Sequence, residues 1–335
     1  MKLRTVAAAL ALAVLPASGL APAAAATDCT DPSATMTALP AAAGAGTGGY
    51  VRPAAAPTAL VVFAHGYTHE SASWEQHMQD AAAHGALAVT PDYSYSIFKR
   101  GWHVSAGAQD MIAAANYFLD LCGATIRETI LFGVSMGANT SGLALAEKPM
   151  RGGAPLFDVW FDVEGAVNVI ETYAGASALA GVNAFAANAK ADIEAETGGT
   201  FSQVPEEYAK RAVVNRVGDI RDSGVKGVVL VHGVEDGLVP YNQSREIVAL
   251  LRAHGVPADM TTVVRKGSGE NGTTLSGYAA QGSPFAGHGS ESSATQRVIR
   301  IAHDRLHAML DEIAANNEPA VEDRERIVDD ADTIE

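Results

Sequence analysis

Continuous apolar runs that alternate with longer segments of helical period most strongly limit how this 335-residue chain can fold. Such runs are typical of strands buried on both faces, and crossover helices join parallel strands. The alternation therefore predicts an α/β fold with a mainly parallel sheet flanked by helices. The predicted strands are Ala59–Ala64, Ala86–Pro91, Thr129–Val134, Asp158–Val163, Gly227–His232 and Asp259–Val264, with 49–52 as a candidate edge strand. The predicted helices are Ser71–His84, Ser105–Leu121, Met136–Glu147, Asn242–His254 and Ser290–Ala315.

One interval breaks this alternation, between the strand that ends near Val163 and the strand that begins at Gly227. The interval is rich in Ala and helical in character, and a structureless loop of this length is uncommon inside a compact domain. We therefore expect an inserted helical cap over residues 166–222, lying over one end of the sheet.

The first 26 residues have the pattern of an export signal. Lys2 and Arg4 precede an apolar run at 7–15, and three alanines at 24–26 resemble a cleavage site before Thr27. This apolar run is too short to span a bilayer, and no later apolar segment reaches the length that a membrane span needs. We therefore expect a signal peptide over 1–26, a secreted protein, and no integral membrane segment once the signal is removed.

The chain has only two cysteines, Cys29 and Cys122. In an oxidising compartment an isolated pair more often forms a disulfide than two free thiols. We expect a structural bridge that ties the N-terminal segment to a helix ending at Cys122.

Charge and composition restrict the partners. With 38 acidic and 23 basic residues the net charge is −15, which is unfavourable for binding nucleic acid. Residues 316–335 are strongly acidic, and we expect them to form a solvated, disordered tail. His303 and His307 have ligand-like spacing but lack the glutamate of a zinc-binding H-E-x-x-H motif, so no metal and no cofactor are expected.

The strongest chemical signal is the sequence Gly133-Val134-Ser135-Met136-Gly137, between a predicted strand and a predicted helix. A sharp strand-to-helix turn strains its central residue and presents that side chain at the carboxyl end of the sheet, and small neighbours permit the turn. Ser135 is therefore the predicted nucleophile.

A serine nucleophile needs a base, and the base needs an acid that orients it. Asp236 follows a buried strand, and His288 lies between two glycines before the last helix. We predict Asp236 as the acid and His288 as the base. Glu235 is the neighbouring alternative to Asp236, and a carboxylate after the preceding strand, Asp162 or Glu164, is a further one.

An oxyanion hole would complete this set. The backbone N–H of Met136, directly after the nucleophile, is one expected donor. The strand at Ala59–Ala64 ends in His65-Gly66-Tyr67, and the N–H of Tyr67 is the expected second donor.

These residues resemble the α/β-hydrolase superfamily, and the resemblance extends over roughly residues 49–315. Within it the chain is most similar to dienelactone-hydrolase and prolyl-oligopeptidase-like esterases, in which a helical cap and a D-x-x-V-P acid loop recur. The resemblance implies an α/β-hydrolase domain over 27–315. The Tyr67-Thr68 and Ser135-Met136 pairs also resemble those of secreted cutinases, which implies a lipid-like or polyester substrate.

Two features depart from these relatives. Asp236 and His288 are 52 positions apart, longer than is usual, with the excess in a Gly/Ser/Thr-rich segment at 267–282. The long cap is foreign to cutinases.

The expected function is that of a secreted serine hydrolase that cleaves small-molecule or polymeric carboxylic esters through an acyl-enzyme. The alternatives are a prolyl-oligopeptidase-like peptidase, a lipase or polyester hydrolase, and a non-catalytic binding protein. The peptidase would normally carry an N-terminal propeller, whereas only residues 27–58 precede the first central strand. If His288 is the base, kcat/KM is expected to fall as it protonates, near its ordinary pKa of about 6.5.

Overall fold

The computed structural model describes residues 29–93, 101–264, 287–293 and 296–329. The predicted export signal and the segment at 267–282 lie outside the described residues. The strands are β1 Thr37–Ala38, β2 Thr47–Val51, β3 Ala59–Ala64, β4 Ala86–Asp92, β5 Glu128–Val134, β6 Met150–Arg151, β7 Ala154–Pro155, β8 Val159–Val163, β9 Gly227–Gly233, β10 Ala258–Val264 and β11 Arg324–Asp329. The α-helices are α1 Glu75–Ala83, α2 Val104–Cys122, α3 Met136–Ala146, α4 Val169–Leu179, α5 Ala184–Thr197, α6 Pro205–Arg211, α7 Val217–Asp222, α8 Asn242–Ala253 and α9 Arg297–Ala314.

Nine of these strands form one sheet in the order β1-β2-β4-β3-β5-β8-β9-β10-β11. The pairs β1–β2 and β2–β4 are antiparallel, and all later pairs are parallel. The register matches Ala64 with Gly133 and Gly133 with Asp162, so β3, β5 and β8 end side by side. Loops that follow these strands therefore meet at one edge of the sheet, and the predicted α/β fold is confirmed.

Helices cover both faces of the sheet. Helices α1 and α9 pack on one face, and α2, α3 and α8 pack on the other. The central strands are buried along their whole length, which explains why their sequences are continuously apolar. Within the described ranges, no helix has the length and hydrophobicity needed to cross a bilayer.

Between β8 and β9 the chain forms helices α4 to α7, at the position where the sequence predicts an inserted cap. Asparagine side chains define the starts of the first two: Asn168 accepts the N–H of Glu171 at 3.3 Å, and Asn183 accepts the N–H of Ala186 at 3.0 Å. Proline at the first position begins α6 in the same region.

The acidic segment near the C-terminus is partly folded, so for β11 the expectation of a disordered tail is wrong. Strand β11 extends the sheet by pairing in parallel with β10. Two of its charged side chains pair with the rest of the domain: Arg326 donates to Asp259 of β10 at 2.6 Å, and Glu325 accepts from Arg252 of α8 at 2.8 Å. A net charge counted along the sequence does not register such pairs between distant segments.

A disulfide joins Cys29, before β1, to Cys122, the last residue of α2. Both residues are buried, and they are 93 positions apart in the sequence. The bridge therefore fastens the N-terminal segment to a helix that packs on the sheet.

Replacing both cysteines, Cys29→Ser with Cys122→Ser, is expected to lower the free energy of unfolding by about 3–5 kcal/mol, because the open chain gains conformational entropy when it unfolds. Urea denaturation of the variant and of the oxidised wild type measures this, with the reduced wild type as the matched control. An unfolding free energy equal in all three samples would contradict a stabilising role for the bridge.

Candidate active site

Ser135 lies in the sharp turn between β5 and α3 and has a left-handed backbone, with φ of 58° and ψ of −123°. The turn is fixed by the end of β8, because the N–H of Ser135 donates to the carbonyl of Val163 at 3.0 Å. Its own carbonyl accepts the N–H of Ala166 at 3.1 Å. A non-glycine residue held at positive φ is strained, and such strain concentrates at functional sites.

The two glycines of the motif are required by close backbone packing. A Cβ on Gly133 would lie 2.4 Å from the carbonyl oxygen of Gly137. A Cβ on Gly137 would lie 2.0 Å from the carbonyl oxygen of Ala64, at the end of β3. Both distances are far inside van der Waals contact, so any side chain at these positions forces the turn apart.

The structure brings His288 and Asp236 together. Nδ1 of His288 lies 2.7 Å from Oδ2 of Asp236, and both side chains are buried. The other oxygen of Asp236 accepts the N–H groups of Leu238 and Val239 at 2.8 and 2.9 Å. The carboxylate is thus held by the turn that follows it, and it can fix the orientation of the imidazole.

Burial disfavours the charged forms of Asp236 and His288, but each of these side chains stabilises the charged form of the other. The imidazoles of His288 and His232 lower the pKa of Asp236 below its ordinary value. The carboxylates of Asp236 and Glu164 raise the pKa of His288 above its ordinary value.

The alternative acids have different surroundings. Glu235 is exposed, directly before Asp236. Glu164 is fully buried, and its Oε2 lies 3.6 Å from Nδ1 of His288, so Asp236 makes the shorter contact with the imidazole. Asp162 is fully buried too, and burial raises its pKa to about 7.

A second histidine supports the acid. Nε2 of His232 lies 3.4 Å from Oδ2 of Asp236 and 3.0 Å from the carbonyl of Val239. Its other ring nitrogen lies 2.7 Å from the hydroxyl of Ser244. His232 therefore joins the acid turn to the start of α8.

The loop after β3 lies directly beside the nucleophile. A Cβ on Gly66 would be 3.6 Å from the Cβ of Ser135, so the next residue, Tyr67, also lies close to Ser135. Met136, whose N–H is the other expected oxyanion donor, is buried at the start of α3. The ring of Tyr67 is buried, and its hydroxyl donates to Asp192 of α5 at 2.6 Å.

A carboxylate missed by the sequence analysis holds this loop. Oε1 of Glu291 accepts the N–H of Gly66 at 2.6 Å and lies 3.1 Å from Nδ1 of His69. Burial opposes its ionisation, but His69 and the Gly66 N–H outweigh burial and lower the pKa of Glu291. Because Glu291 follows His288 by three residues, it joins the loop of the base to the loop beside Ser135.

A cavity of about 310 Å³ lies next to Ser135, between the cap and the sheet. The acid turn, the loop after β3 and the first two cap helices form its walls. Among the described residues that line it, Glu171 is the one with a charged side chain, and its Oε1 accepts a hydrogen bond from Asn242 at 2.7 Å. Its apolar walls include Tyr67, Trp102, Leu179, Phe185, Leu238 and Val239.

Comparison with known sequences assigns this architecture to a family. The profile of the prolyl oligopeptidase family matches residues 98–269, just over half of the chain. No curated protein sequence matches the chain.

Solved structures show the same fold at low identity. A puromycin-hydrolysing peptidase of Mycobacterium tuberculosis has a TM-score of 0.54 and 16% identity, covering 86% of this chain and 40% of that one. An acylaminoacyl peptidase of Pyrococcus horikoshii has a TM-score of 0.52 and 19% identity, covering 80% and 39%. Esterase B of Lactobacillus rhamnosis has a TM-score of 0.52 and 15% identity, covering 81% and 82%. The expected membership of the α/β-hydrolase superfamily is confirmed.

The packing at the turn predicts that Gly137→Ala destabilises the protein by about 1–3 kcal/mol or more, because the added Cβ meets backbone at the end of β3. Gly218→Ala in α7 is the matched control, since a Cβ there meets nothing within 4 Å, and it is expected to be neutral or slightly stabilising. Urea denaturation measures both. Equal unfolding free energies for the two variants would contradict the packing argument.

Proposed function

Because this chain belongs to the prolyl oligopeptidase family of serine hydrolases, we propose that it cleaves carboxylic esters through an acyl-enzyme formed on Ser135. The observation that carries the proposal is the 2.7 Å hydrogen bond between His288 and Asp236, at the sheet edge where Ser135 is held in its left-handed turn. Nucleophile, base and orienting acid are the three roles that acyl transfer requires.

In this mechanism the hydroxyl of Ser135 attacks the ester carbonyl carbon, and His288 accepts the hydroxyl proton. The N–H groups of Tyr67 and Met136 donate to the negative oxygen of the tetrahedral intermediate. His288 then protonates the departing alcohol, which leaves the acyl group on Ser135. Water attacks this acyl-enzyme, His288 accepts a proton from the water, and return of that proton to Ser135 releases the carboxylic acid.

The cavity beside Ser135 favours an ester with an apolar acyl group. Its walls are alkyl and aromatic, and burying an acyl chain there stabilises the complex by about 0.8 kcal/mol per methylene. A peptidase that recognises a free amine needs an acidic anchor in its pocket. Among the described lining residues Glu171 is the single carboxylate: its Oε1 accepts from Asn242, and its buried Oε2 has no hydrogen-bond partner, so the comparison of esters with anilides below decides whether it serves as such an anchor.

Peptide cleavage is the second candidate, because the family match and two of the similar structures are peptidases. This chain spans only 40% and 39% of the lengths of those two chains, against 82% of esterase B.

We also propose that the protein is secreted. The export pattern in residues 1–26 supports this, and so does the disulfide, since disulfides persist in oxidising compartments. Sequencing the N-terminus of the exported protein would test it.

The catalytic proposal predicts that Ser135→Ala loses ester turnover by at least about 10⁴-fold, because no acyl-enzyme can form. With p-nitrophenyl esters, kcat/KM of the wild type is expected to rise by up to about fourfold per methylene until the cavity is filled. Ser202→Ala, on the exposed surface of the cap, is the matched control and should retain activity.

Anilides with the same acyl groups provide the comparison with peptide cleavage. Full turnover by Ser135→Ala would overturn the nucleophile, and faster cleavage of peptide anilides than of esters would favour the peptidase.

The surroundings of His288 predict where activity declines with acid. The imidazole must be neutral to accept a proton, and the adjacent carboxylates raise its pKa. A raised pKa keeps the base protonated to a higher pH, so kcat/KM should fall on acidification through a limb that lies above the value of about 6.5 expected from the sequence alone. Rate measurements from about pH 5 to 10 at constant ionic strength test this. A limb below 6.5 would contradict the arrangement of carboxylates around His288.

A further inference from the structure

Glu164, the first residue after β8, is not used by the mechanism above. Its backbone is left-handed, with φ of 48°, and its side chain is fully buried. Its N–H donates to the carbonyl of Val231 in the neighbouring strand β9 at 2.9 Å. A buried carboxylate at a strained backbone position is costly unless other groups stabilise it.

The contacts of the Glu164 carboxylate reach both loops that carry the acid and the base. One oxygen accepts the N–H of Gly233, the last residue of β9, at 3.1 Å. The other oxygen accepts the N–H of Gly289 and lies 3.6 Å from Nδ1 of His288. One side chain therefore joins the strand that leads into the Asp236 turn to the residue that follows His288.

Glu164 is among the groups that leave little room for a side chain at its two backbone partners. A Cβ on Gly233 would lie 3.0 Å from Oε1 of Glu164, and a Cβ on Gly289 would lie 3.0 Å from Oε2 and 2.8 Å from Cγ2 of Val298. Such distances are tighter than ordinary contacts, so a larger residue at either site would push the carboxylate away from His288.

The carboxylate is also an electrostatic neighbour of the base. Burial and the negative charge of Asp236 raise the pKa of Glu164, while His288 and His232 stabilise its ionised form. Ionised Glu164 in turn favours the imidazolium of His288. Three carboxylates thus act on the imidazole: Asp236 is the closest at 2.7 Å, Glu164 lies at 3.6 Å, and Glu291 adds a weaker effect, while the imidazole of His69 interacts with His288 in the opposite sense.

We propose that Glu164 is a positioning residue for His288, which fixes the loops of the base and of the acid through two backbone N–H groups and places a second negative charge beside the imidazole. This inference rests on the proposed function, because it concerns the base of that reaction.

The same three side chains, Glu164, Asp236 and His288, have ligand atoms within 4.8 Å of one another, as in a metal site. Hydrogen bonds account for this closeness. The two carboxylates accept four backbone N–H groups, and Nδ1 of His288 lies at hydrogen-bond distance from Asp236. A metal ion at the centre would have to replace the bond between His288 and Asp236.

The test is Glu164→Gln, which preserves the shape and a hydrogen-bond acceptor but removes the charge. The acid limb of kcat/KM is expected to move to lower pH by about one unit, because the imidazolium loses a stabilising charge. The plateau of kcat should fall by roughly ten- to a hundredfold with little change in KM, since the base is less well aligned.

Glu128→Gln is the matched control, because Glu128 is also buried but begins β5, at the opposite edge of the sheet. Its acid limb should coincide with that of the wild type. A merely structural role for Glu164 would lower stability and activity without moving the limb, so an unchanged limb in folded Glu164→Gln overturns the proposal.

If Glu164→Gln does not fold, Glu164→Asp withdraws the charge by one methylene and should shift the limb in the same direction by less. An unmoved limb in that variant overturns the proposal equally. Treatment of the wild type with EDTA should leave the limb and the rate unchanged. Turnover lost to EDTA and restored by Zn²⁺ would assign the cluster to a metal ion instead.

Ser135→Ala, assayed in parallel, separates the two proposals. Turnover that survives in Ser135→Ala contradicts the proposed function itself. Turnover that depends on Ser135 but keeps the same acid limb in both Glu164 variants contradicts only the role of Glu164.

Discussion

The arrangement of the site depends on how closely α3 packs against the end of the sheet. No side chain fits between Gly137 and the carbonyl of Ala64, so the first turn of α3 lies directly against the end of β3. The start of α3 also lies close to β5, the strand that precedes it, because a Cβ on Gly133 would be 2.4 Å from the carbonyl oxygen of Gly137, and in the tight turn between these glycines Ser135 has a positive φ of 58°. Gly66 also lies beside Ser135, so close backbone packing sets Ser135, the proposed nucleophile, next to the loop after β3.

The second constraint is the burial of ionisable groups at this edge. Asp236 is stabilised by two N–H groups and two imidazoles, which keeps it charged, whereas burial raises the pKa of Asp162 to about 7. The carboxylates at this edge therefore differ in how readily they ionise. Asp236 and Glu291, whose pKa values are both lowered, ionise most readily. These two carboxylates hydrogen-bond to His288, the proposed base, and to the Gly66 N–H in the loop after β3, so each is stabilised by the groups that it holds in place.

The sequence predicts the central strands and most helices closely, because buried positions are apolar and their spacing along the chain shows which element they belong to. The helix predicted at Ser105–Leu121, for example, is Val104–Cys122. Contacts between distant charged residues leave no such record. Strand β11 carries Arg326, which pairs with Asp259 of the neighbouring strand β10. The last helix begins only at Arg297, and the buried Glu291 lies before it in a turn. Serines on both sides of this glutamate gave no sign that it is buried.

The cap forms part of the wall of the cavity beside Ser135. Its helix α5 contacts the loop after β3 in two ways. The hydroxyl of Tyr67 donates a hydrogen bond to Asp192, and the rings of Tyr67 and Phe185 pack nearly perpendicular to each other, with their centroids 5.3 Å apart. The residue that resembles those of cutinases therefore lies against a structure that cutinases lack. Among the described residues, the first two cap helices share the walls of the cavity beside Ser135 with the loop after β3 and the turn after β9. The alkyl and aromatic side chains that the cap contributes there are the observation behind the proposed preference for an apolar acyl group.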